Sequence, residues 1–380
     1  MRVGTMRALV KPAAGPGLEI RSVPIPKPGP GQVLVHVRAG GICGTDLHIW
    51  RWDPWAASRL HPPVIIGHEF CGTVTEIGPD AHGVAPGDFV SGESHVNCGR
   101  CGACRRGEPH ICERLQIIGV DRDGAFTDFV VLPAKNARKL PPSIPVEVAA
   151  VMDPLGNAVH TALSTDLAGR AVLVMGCGPI GLCAILVARR AGAAQVIAVD
   201  VNRYRLGLAE RLGPDLLLDA RTEDVPRVVR SRTDGSGADV LLEFSGNAQG
   251  IHTGLAALQN GGAAALLGLP SRPVELDLAN EVIFKGARLQ GIFGRRMWET
   301  WDQATALLAS GMDIRPVITH RLPMARFAEA FALMESGECG KVILTVQDGA
   351  LRLAPEITAP AVRSPPPARS APGSRRSARA

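Results

Sequence analysis

The sequence lacks three features: a net charge on the main part of the chain, an apolar N-terminal segment and an uninterrupted membrane-spanning run. The formal net charge is +5, but residues 349–380 hold six arginines and one acid, so residues 1–348 are neutral. A neutral body argues against a nucleic-acid-binding core. The N-terminus MRVGTMRALVKPAAG has no apolar segment of the kind that directs secretion. Glycines and a proline interrupt the apolar stretch Ala171–Ala188, so a strand, a turn and a helix explain it better than a membrane span.

The C-terminal tail, residues 347–380, is predicted to be disordered. It is rich in Pro, Ala, Ser and Arg and has too few large apolar residues to offset its ordering entropy. No aromatic residue lies between its arginines, so any binding to nucleic acid would be weak and sensitive to salt. Residues 1–5 are expected to be an extension, because Met6 directly precedes the first strand-like run. We expect a cytoplasmic protein with no nucleic-acid or membrane partner.

Four of the nine cysteines are closely spaced as C-x2-C-x2-C-x7-C, at Cys98, Cys101, Cys104 and Cys112. Two-residue gaps let thiolates converge on one ion, and such close spacing would strain disulfides. Four sulfurs leave no open position, which is typical of a structural zinc site. An iron–sulfur cluster is the alternative, because the spacing alone does not determine the metal.

A second set of metal-ligand types lies upstream, in GICGTDLH and GHEFCG. Cys43, His68 and Glu69 combine sulfur, nitrogen and oxygen donors. Three protein ligands leave a position open for water or substrate, which is the arrangement of a catalytic metal site.

A glycine-rich turn, Gly176-Cys-Gly178-Pro-Ile180-Gly181, follows the strand-like AVLVM and precedes a helical run. In that context the glycines allow a tight turn, and the helix N-terminus offers N–H groups to a pyrophosphate. The next strand ends in Asp200, whose carboxylate would accept bonds from both ribose hydroxyls and repel a 2′-phosphate. NAD is therefore favoured over NADP, although Arg203 and Arg205 weaken that preference.

Two patterns of secondary structure divide the chain. Residues 6–150 read as many short strands separated by Gly/Pro-rich connections, for example at 33–37, 72–77 and 126–132. From about residue 156 strands alternate with helices, which predicts βαβ units and a parallel sheet. The predicted strands of this part are 171–175, 195–200, 216–220, 238–246, 263–269 and 289–294, and a last strand is predicted at 341–346. The predicted helices are 180–191, 203–212, 248–259, 298–310 and 323–336.

These motifs, in this order and spacing, make the chain similar to the zinc-containing medium-chain alcohol dehydrogenases over roughly residues 6–346. Within that family it most resembles the branch that oxidises L-threonine, on the stretches 50–55, 91–95, 153–163, 200–205 and 291–301. The resemblance implies an α/β fold: a doubly wound parallel-sheet NAD domain (Rossmann) plus a β-rich GroES-like catalytic domain with a structural zinc lobe. The implied segments are 6–155 with the lobe at 97–113, then 156–295 for NAD, and 296–346 returning to the catalytic domain. A homotetramer is also implied.

The same resemblance assigns roles to individual residues. It implies that Cys43, His68 and Glu69 bind a catalytic zinc, so that each chain carries two zinc ions. Thr45 and His48 match proton-relay positions, and Asp153 stands where relatives carry a second acid at the metal, which a short Asp reaches only through water. The remaining implied NAD contacts are Ile180, Arg205, Leu267, Gly268, Leu269, Ile292 and Phe293.

The implied reaction is oxidation of the 3-hydroxyl of L-threonine to 2-amino-3-oxobutanoate, in threonine catabolism. Zinc is expected to polarise the hydroxyl, the proton to leave through Thr45 and His48, and the hydride to pass to NAD. Glu93, His95 and Arg295 are candidates for holding the ammonium and carboxylate groups. The alternatives are a polyol or secondary-alcohol dehydrogenase of the sorbitol or butanediol type, and a non-catalytic nucleotide-binding relative.

Overall fold

The first part of the chain folds as short strands joined by glycine- and proline-rich turns. The computed structural model describes residues 4–346, so the tail 347–380 and residues 1–3 of the expected extension 1–5 lie outside the described residues, whereas Thr5 belongs to the first strand. The strands here are β1 Thr5–Lys11, β2 Glu19–Pro24, β3 Gln32–Gly41, β4 Val64–Ile65, β5 Glu69–Ile77, β6 Phe89–Gly92, β7 His95–Val96, β8 Gln116–Ile117, β9 Phe129–Pro133 and β10 Ala137–Lys139. The helices are α1 Gly44–Arg51, α2 Pro54–Arg59, α3 Gly102–Arg105, α4 Val146–Ala149 and α5 Met152–Ala162.

Strands and helices alternate in the second part. Its elements are β11 Ala171–Met175, α6 Pro179–Arg190, β12 Gln195–Asp200, α7 Arg203–Glu210, β13 Leu216–Asp219, α8 Val225–Ser231, β14 Ala238–Glu243, α9 Ala248–Ala257, β15 Leu258–Leu266 and β16 Arg288–Gly291. The closing elements are α10 Glu299–Ala309, β17 Ile318–Pro323, α11 Phe327–Ser336 and β18 Lys341–Thr345.

The second part forms a six-stranded parallel sheet in the order β13-β12-β11-β14-β15-β16. Apolar side chains of β11 and β12 are buried on both faces, as expected when helices cover both sides of a parallel sheet. The chain order reverses between β11 and β14, and in such sheets ligands bind at the carboxyl ends of the strands beside that reversal. The predicted doubly wound α/β class is confirmed.

The closing strands pair with the first part of the chain. β18 lies antiparallel to β3, with Ile343 opposite Gly41, and β17 pairs parallel to β18. Together they extend a sheet in the order β10-β6-β5-β3-β18-β17, with β9 also bonded to β3. This pairing brings the first residue of β18, Lys341, beside the turn that leads from β3 into α1.

Several elements differ from the expectations, among them the helices of the first part, none of which was predicted. Helix α8 was not predicted, although Asp224 caps it by accepting a bond from the Arg227 amide and Pro226 stands in its first turn. A turn of π-helix at Leu278–Ile283 was also missed. The strand predicted at 263–269 runs from Leu258 to Leu266 instead, so that residues 267–269 form a loop beyond the sheet. Within residues 4–346 no helix is long and apolar enough to cross a membrane.

Candidate active site

The turn after β3 positions the first sulfur of the mixed metal-ligand set. Cys43 is the N-terminal cap of α1, with an extended backbone at φ −101°. Its amide donates to the Asp46 carboxylate at 2.9 Å, which fixes the start of the helix. Thr45 lies one residue into α1, and its Oγ1 is 3.8 Å from the Cys43 Sγ. The thiol and the hydroxyl therefore face the same site.

A glycine at a left-handed position brings the second segment to this thiol. Gly67 has φ 95°, and a Cβ there would lie 2.6 Å from the Phe126 ring. The following residues, His68 and Glu69, are almost fully buried. One donor atom each of Cys43, His68 and Glu69 lies within 4.8 Å of the others. The structure thus brings together the three residues that the sequence predicts as one metal site.

The electrostatics of this cluster favour a cation. The His68 Nδ1 is buried with no hydrogen-bond partner among the described residues. Burial disfavours its protonation, but the negative charges of Asp46 and Cys43 outweigh burial and raise the pKa of His68 to about 10. A thiolate, an imidazole and a carboxylate at this spacing are suitable zinc ligands, and three of them leave an open position. The residues present fit the implied zinc.

Sequence analysis missed a buried lysine in this site. The Lys341 Nζ lies 2.8 Å from both carboxylate oxygens of Glu69 and donates to the Ile42 carbonyl at 2.9 Å. Burial lowers the pKa of Lys341, but the charges of Glu69 and Cys43 outweigh it and raise that pKa. Glu69 is therefore shared between a permanent cation and the metal position. The signal in the sequence is weak, because a lysine at the start of a strand is usually exposed.

Asp153 approaches from α5 and is held by neutral and charged donors. Its carboxylate accepts from the Ser94 hydroxyl at 2.8 Å and the Asn157 amide at 3.2 Å. The Arg295 Nη1 lies 2.7 Å from its Oδ1. Asp153 falls outside the group of donor atoms that lie within 4.8 Å of one another. Its charge still acts on His68, whose pKa it helps to raise.

Arg295 is fully buried and bridges two acids. Its Nε donates to Glu93 at 2.8 Å and its Nη2 contacts the same carboxylate, which also accepts from the Trp301 indole at 2.7 Å. Burial raises the pKa of Glu93, but Arg295 outweighs it and lowers that pKa to about 2. Glu93 and Arg295, expected as candidates for binding the substrate ammonium and carboxylate, are instead paired with each other.

His95, the third of those candidates, is a buried neutral ring. It stacks on Phe293 with ring centroids 5.3 Å apart. Burial and the nearby Arg295 lower its pKa to about 4. A Cβ at Gly294 would lie 2.4 Å from the imidazole, so only glycine fits between the ring and the loop after β16.

His48 lies one turn after Thr45 on α1 and is exposed. Its Nδ1 contacts the Asp53 carboxylate. A hydroxyl at the metal-ligand cluster and a solvent-facing imidazole on the same helix are suited to carrying a proton outward.

The four-cysteine lobe has the dimensions of a tetrahedral site. The Cys101 Sγ lies 3.5 Å from that of Cys104 and 3.8 Å from that of Cys112. Zinc–sulfur bonds of about 2.3 Å at tetrahedral angles place sulfurs about 3.8 Å apart. Backbone amides of Cys98 and Cys104 donate to neighbouring sulfurs at 3.3 and 3.5 Å. None of the nine cysteines, all in the described range, forms a disulfide.

The glycine-rich turn lies at the carboxyl end of β11 with its two outer glycines packed against backbone. Gly176 has φ 98°, and a Cβ on Gly181 would lie 1.8 Å from the Gly176 oxygen. A Cβ on Gly178 would meet nothing within 4 Å, so the space in front of the α6 N-terminus is open to a ligand. The Asp200 carboxylate at the end of β12 accepts from the amides of Cys177 at 2.6 Å and Asn202 at 2.8 Å.

The other residues expected to contact NAD lie along the same edge. Ile180 and Arg205 belong to the first turns of α6 and α7. Leu267, Gly268 and Leu269 follow β15, and Ile292 and Phe293 follow β16. Leu269 and Phe293 are exposed large apolar residues at the ends of the parallel strands. The structure thus collects the predicted positions at one edge of the sheet.

Sequence comparisons agree with both halves of this architecture. Residues 29–142 match the alcohol dehydrogenase GroES-like domain, and residues 179–310 match the zinc-binding dehydrogenase family. The chain belongs to the zinc-binding medium-chain dehydrogenases, an oxidoreductase family, and this membership favours zinc over an iron–sulfur cluster. At 52% identity over 342 residues, it is similar to L-threonine 3-dehydrogenase of Symbiobacterium thermophilum, covering 90% of this chain and 97% of that protein.

Solved structures with this fold include enzymes with different cofactors and substrates. A zinc-binding dehydrogenase from Sinorhizobium meliloti 1021 bound to NADP has a TM-score of 0.83 and 31% identity, over 90% of this chain and 99% of that one. An alcohol dehydrogenase from Escherichia coli CFT073 complexed with NADH has a TM-score of 0.82 and 26% identity, over 90% of this chain and 99% of that one. The structure of 2R,3R-butanediol dehydrogenase from Bacillus subtilis has a TM-score of 0.82 and 27% identity, over 90% of this chain and 100% of that one.

Proposed function

We propose that this chain oxidises L-threonine at its 3-hydroxyl to 2-amino-3-oxobutanoate with NAD, as a step of threonine catabolism. The observation that carries the proposal is the open set of Cys43, His68 and Glu69 beside Asp153, which pairs with Arg295 in the loop that follows β16 at the carboxyl edge of the parallel sheet. The choice of substrate rests on similarity: identity is 52% to an L-threonine 3-dehydrogenase but 27% to a butanediol dehydrogenase.

In this proposal Cys43, His68 and Glu69 hold the catalytic zinc, and the four-cysteine lobe holds a structural zinc. When bound, zinc supplies a Lewis acid at the substrate hydroxyl, and NAD supplies a hydride acceptor. Thr45 accepts the hydroxyl proton as it releases its own, and His48 passes the released proton to solvent from the exposed side of α1. Asp53 keeps the His48 ring in place.

Asp153 contributes a second negative charge beside the metal ligands without joining them. Ser94, Asn157 and Arg295 fix its carboxylate, so it acts on the site at a distance or through a water molecule. The NAD contacts are proposed at the glycine turn and at the residues that follow the strands: Gly176, Gly178, Ile180, Gly181, Asp200, Arg205, Leu267, Gly268, Leu269, Ile292 and Phe293.

A homotetramer and a cytoplasmic location complete the proposal. β16 is an edge strand of the parallel sheet, and the neighbouring Leu278, Ile283 and Phe284 are 58%, 67% and 76% exposed. Such an apolar edge suits a partner subunit. Free thiols at two metal sites suit a reducing compartment. Sedimentation analysis of the purified protein tests the assembly, and a monomer would contradict it.

A substrate panel tests the reaction. Purified zinc-loaded enzyme is mixed with NAD and, separately, with L-threonine, sorbitol or 2,3-butanediol, and NADH formation is followed by absorbance. Because the chain is 52% identical to an L-threonine 3-dehydrogenase, we expect a kcat/KM for L-threonine at least about 100-fold above the other two, a ratio within the range of a site matched to its substrate. Comparable or higher turnover of either diol would assign the enzyme to the polyol or secondary-alcohol type instead.

A further inference from the structure

The fold leaves the choice between NAD and NADP open. Two structures with nearly equal TM-scores, 0.83 and 0.82, carry NADP and NADH respectively. The choice must therefore depend on side chains near the ribose position at the end of β12. Asp200 occupies that position and is fixed by the amides of Cys177 and Asn202.

A second carboxylate stands beside Asp200. β12 and β13 are parallel, and Asp219, the last residue of β13, is the register partner of Asp200. Both acids therefore lie at the same carboxyl edge, on adjacent strands. The Asp219 amide also donates to the Glu223 carboxylate at 2.8 Å, which adds a third acid nearby.

Asp219 holds two arginines that a 2′-phosphate would otherwise attract. The Arg221 Nε and Nη2 donate to its two oxygens at 3.0 and 2.7 Å, and the Arg221 amide donates at 3.0 Å. The Arg203 Nε lies 3.8 Å from the same carboxylate. These bonds from Arg221 lower the pKa of Asp219 to about 2, so the acid is ionised throughout the neutral range.

Paired arginines bind phosphate well because their fork of N–H groups matches its oxygens. Here both are exposed enough to reach a nucleotide, with side chains 75% and 48% accessible, yet they are directed to Asp219. Asp200, Asp219 and Glu223 stand against Arg203, Arg205 and Arg221, so the formal charges around the ribose position balance and the partners of the arginines matter.

We propose that Asp219 is a second determinant of cofactor choice, because it engages Arg203 and Arg221 and so withholds them from the 2′-phosphate of NADP. Asp200 disfavours NADP by repulsion, whereas Asp219 engages two of the arginines that would otherwise compensate for that repulsion. This inference rests on the proposed NAD site at the carboxyl edge of the sheet.

Isothermal titration calorimetry of the full-length zinc-loaded protein with NAD and with NADP tests the inference without using turnover. In Asp219→Asn the ion pairs are lost and the arginines are released. We expect the Kd for NADP to fall about tenfold, since charge-assisted hydrogen bonds to phosphate become available. The Kd for NAD should change by less than about threefold, because NAD has no 2′-phosphate.

The chain offers a matched control for the charge change. Asp313 makes the same bonds to Arg315, with Nε and Nη2 at 2.8 and 2.7 Å and the amide at 2.9 Å, away from the cofactor edge. Asp313→Asn should leave the Kd for NADP unchanged. An equal tightening in this variant would attribute the effect to net charge and overturn the inference.

Further variants separate the inference from the site on which it rests. Adding Arg221→Ala to Asp219→Asn should reverse most of the gain, and Arg221→Ala alone should leave NADP binding unchanged. Asp219→Ala serves as a second variant, with thermal melting to verify folding. If Asp200→Asn tightens NADP binding but neither Asp219 variant does, the role of Asp219 is wrong. If Asp200→Asn changes neither Kd, the proposed cofactor site itself is wrong.

Discussion

The two metal-ligand clusters differ both in their donor atoms and in the way the chain builds them. The lobe takes all four sulfurs from a single segment of 15 residues, Cys98–Cys112, and backbone amides donate to those sulfurs. The mixed cluster takes Cys43 from the start of α1 and His68 and Glu69 from the start of β5. Charges from remote parts of the chain, Lys341 and Asp153 among them, surround it.

This difference predicts which cluster keeps its geometry when residues outside its ligand set are substituted. The lobe is organised by its own turns, so its geometry depends little on the rest of the chain. The mixed cluster depends on buried ion pairs, and removing one partner of such a pair leaves an uncompensated charge. Substitutions outside the ligand set should therefore affect the mixed cluster and leave the lobe intact.

The largest effect is expected from Cys43→Ser compared with Cys101→Ser. Serine is a poor zinc ligand, so Cys43→Ser should lower kcat/KM for L-threonine by at least about a thousandfold. The melting temperature should change little. Cys101→Ser should instead lower the melting temperature by roughly 5–10 °C, because structural zinc contributes folding free energy. Steady-state kinetics and calorimetry on both variants measure the contrast; wild-type turnover in Cys43→Ser would exclude the catalytic-zinc assignment.

Lys341→Met tests the ion pair at the mixed cluster. Without the lysine, Glu69 is a buried and unpaired acid, so the zinc-free protein should lose about 3–5 kcal/mol of unfolding free energy. The zinc-loaded protein should lose less, because the metal still neutralises Glu69. Denaturant unfolding of both forms measures these values.

The double variant Glu69→Gln/Lys341→Met provides the control for that ion pair. It should recover most of the lost stability in the zinc-free protein, because no buried charge is left without a partner. Equal losses in the single and double variants would mean that Lys341 stabilises the fold through packing alone.

Arg295→Lys tests the second buried network with the charge retained. Lysine cannot reproduce the fork that joins Glu93 and Asp153, so unfolding free energy should fall by about 2–3 kcal/mol. The kcat should also fall about tenfold, because Asp153 loses a bond that positions it. Arg315→Lys, at the exposed pair with Asp313, should cost less than about 0.5 kcal/mol. Equal costs at the two positions would contradict the role given to the buried pair.

The smallest expected effect concerns pH. The pKa of His95 is about 4 in the folded protein and about 6.5 when unfolded, so only the unfolded state gains a proton between these values. Its contribution to stability is full above pH 6.5 and declines as the pH falls toward 4. Between pH 7.5 and 5 the wild type should therefore lose about 2 kcal/mol more than His95→Asn. Identical pH profiles in thermal unfolding would show that His95 is not a buried neutral ring.

Sequence information was sufficient where the relevant groups are close along the chain. The lobe and the glycine turn could be predicted because cysteine and glycine spacing directly constrains their geometry. Cys43, His68 and Glu69 could be grouped by their donor types. Helix α8 was missed although Asp224 and Pro226 carried a start signal, because its seven residues are too few to show helical periodicity.

Partners from distant segments could not be predicted. Lys341 reaches Glu69 across 272 positions and Arg295 reaches Glu93 across 202, which no local pattern records. For the same reason Glu93 and Arg295 looked like substrate-binding groups when each was considered alone. Burial of both charges explains why they pair with each other, because neither can remain unpaired in the interior.

Timed removal of zinc by a chelator tests the central claim most directly, with zinc content and turnover of L-threonine measured in the same samples. The open three-ligand site should release its metal first, and the closed four-sulfur site should retain its own. We predict two zinc ions per chain at the start and complete loss of activity by the time one remains. Full activity with one zinc ion per chain would contradict the division into a catalytic and a structural site.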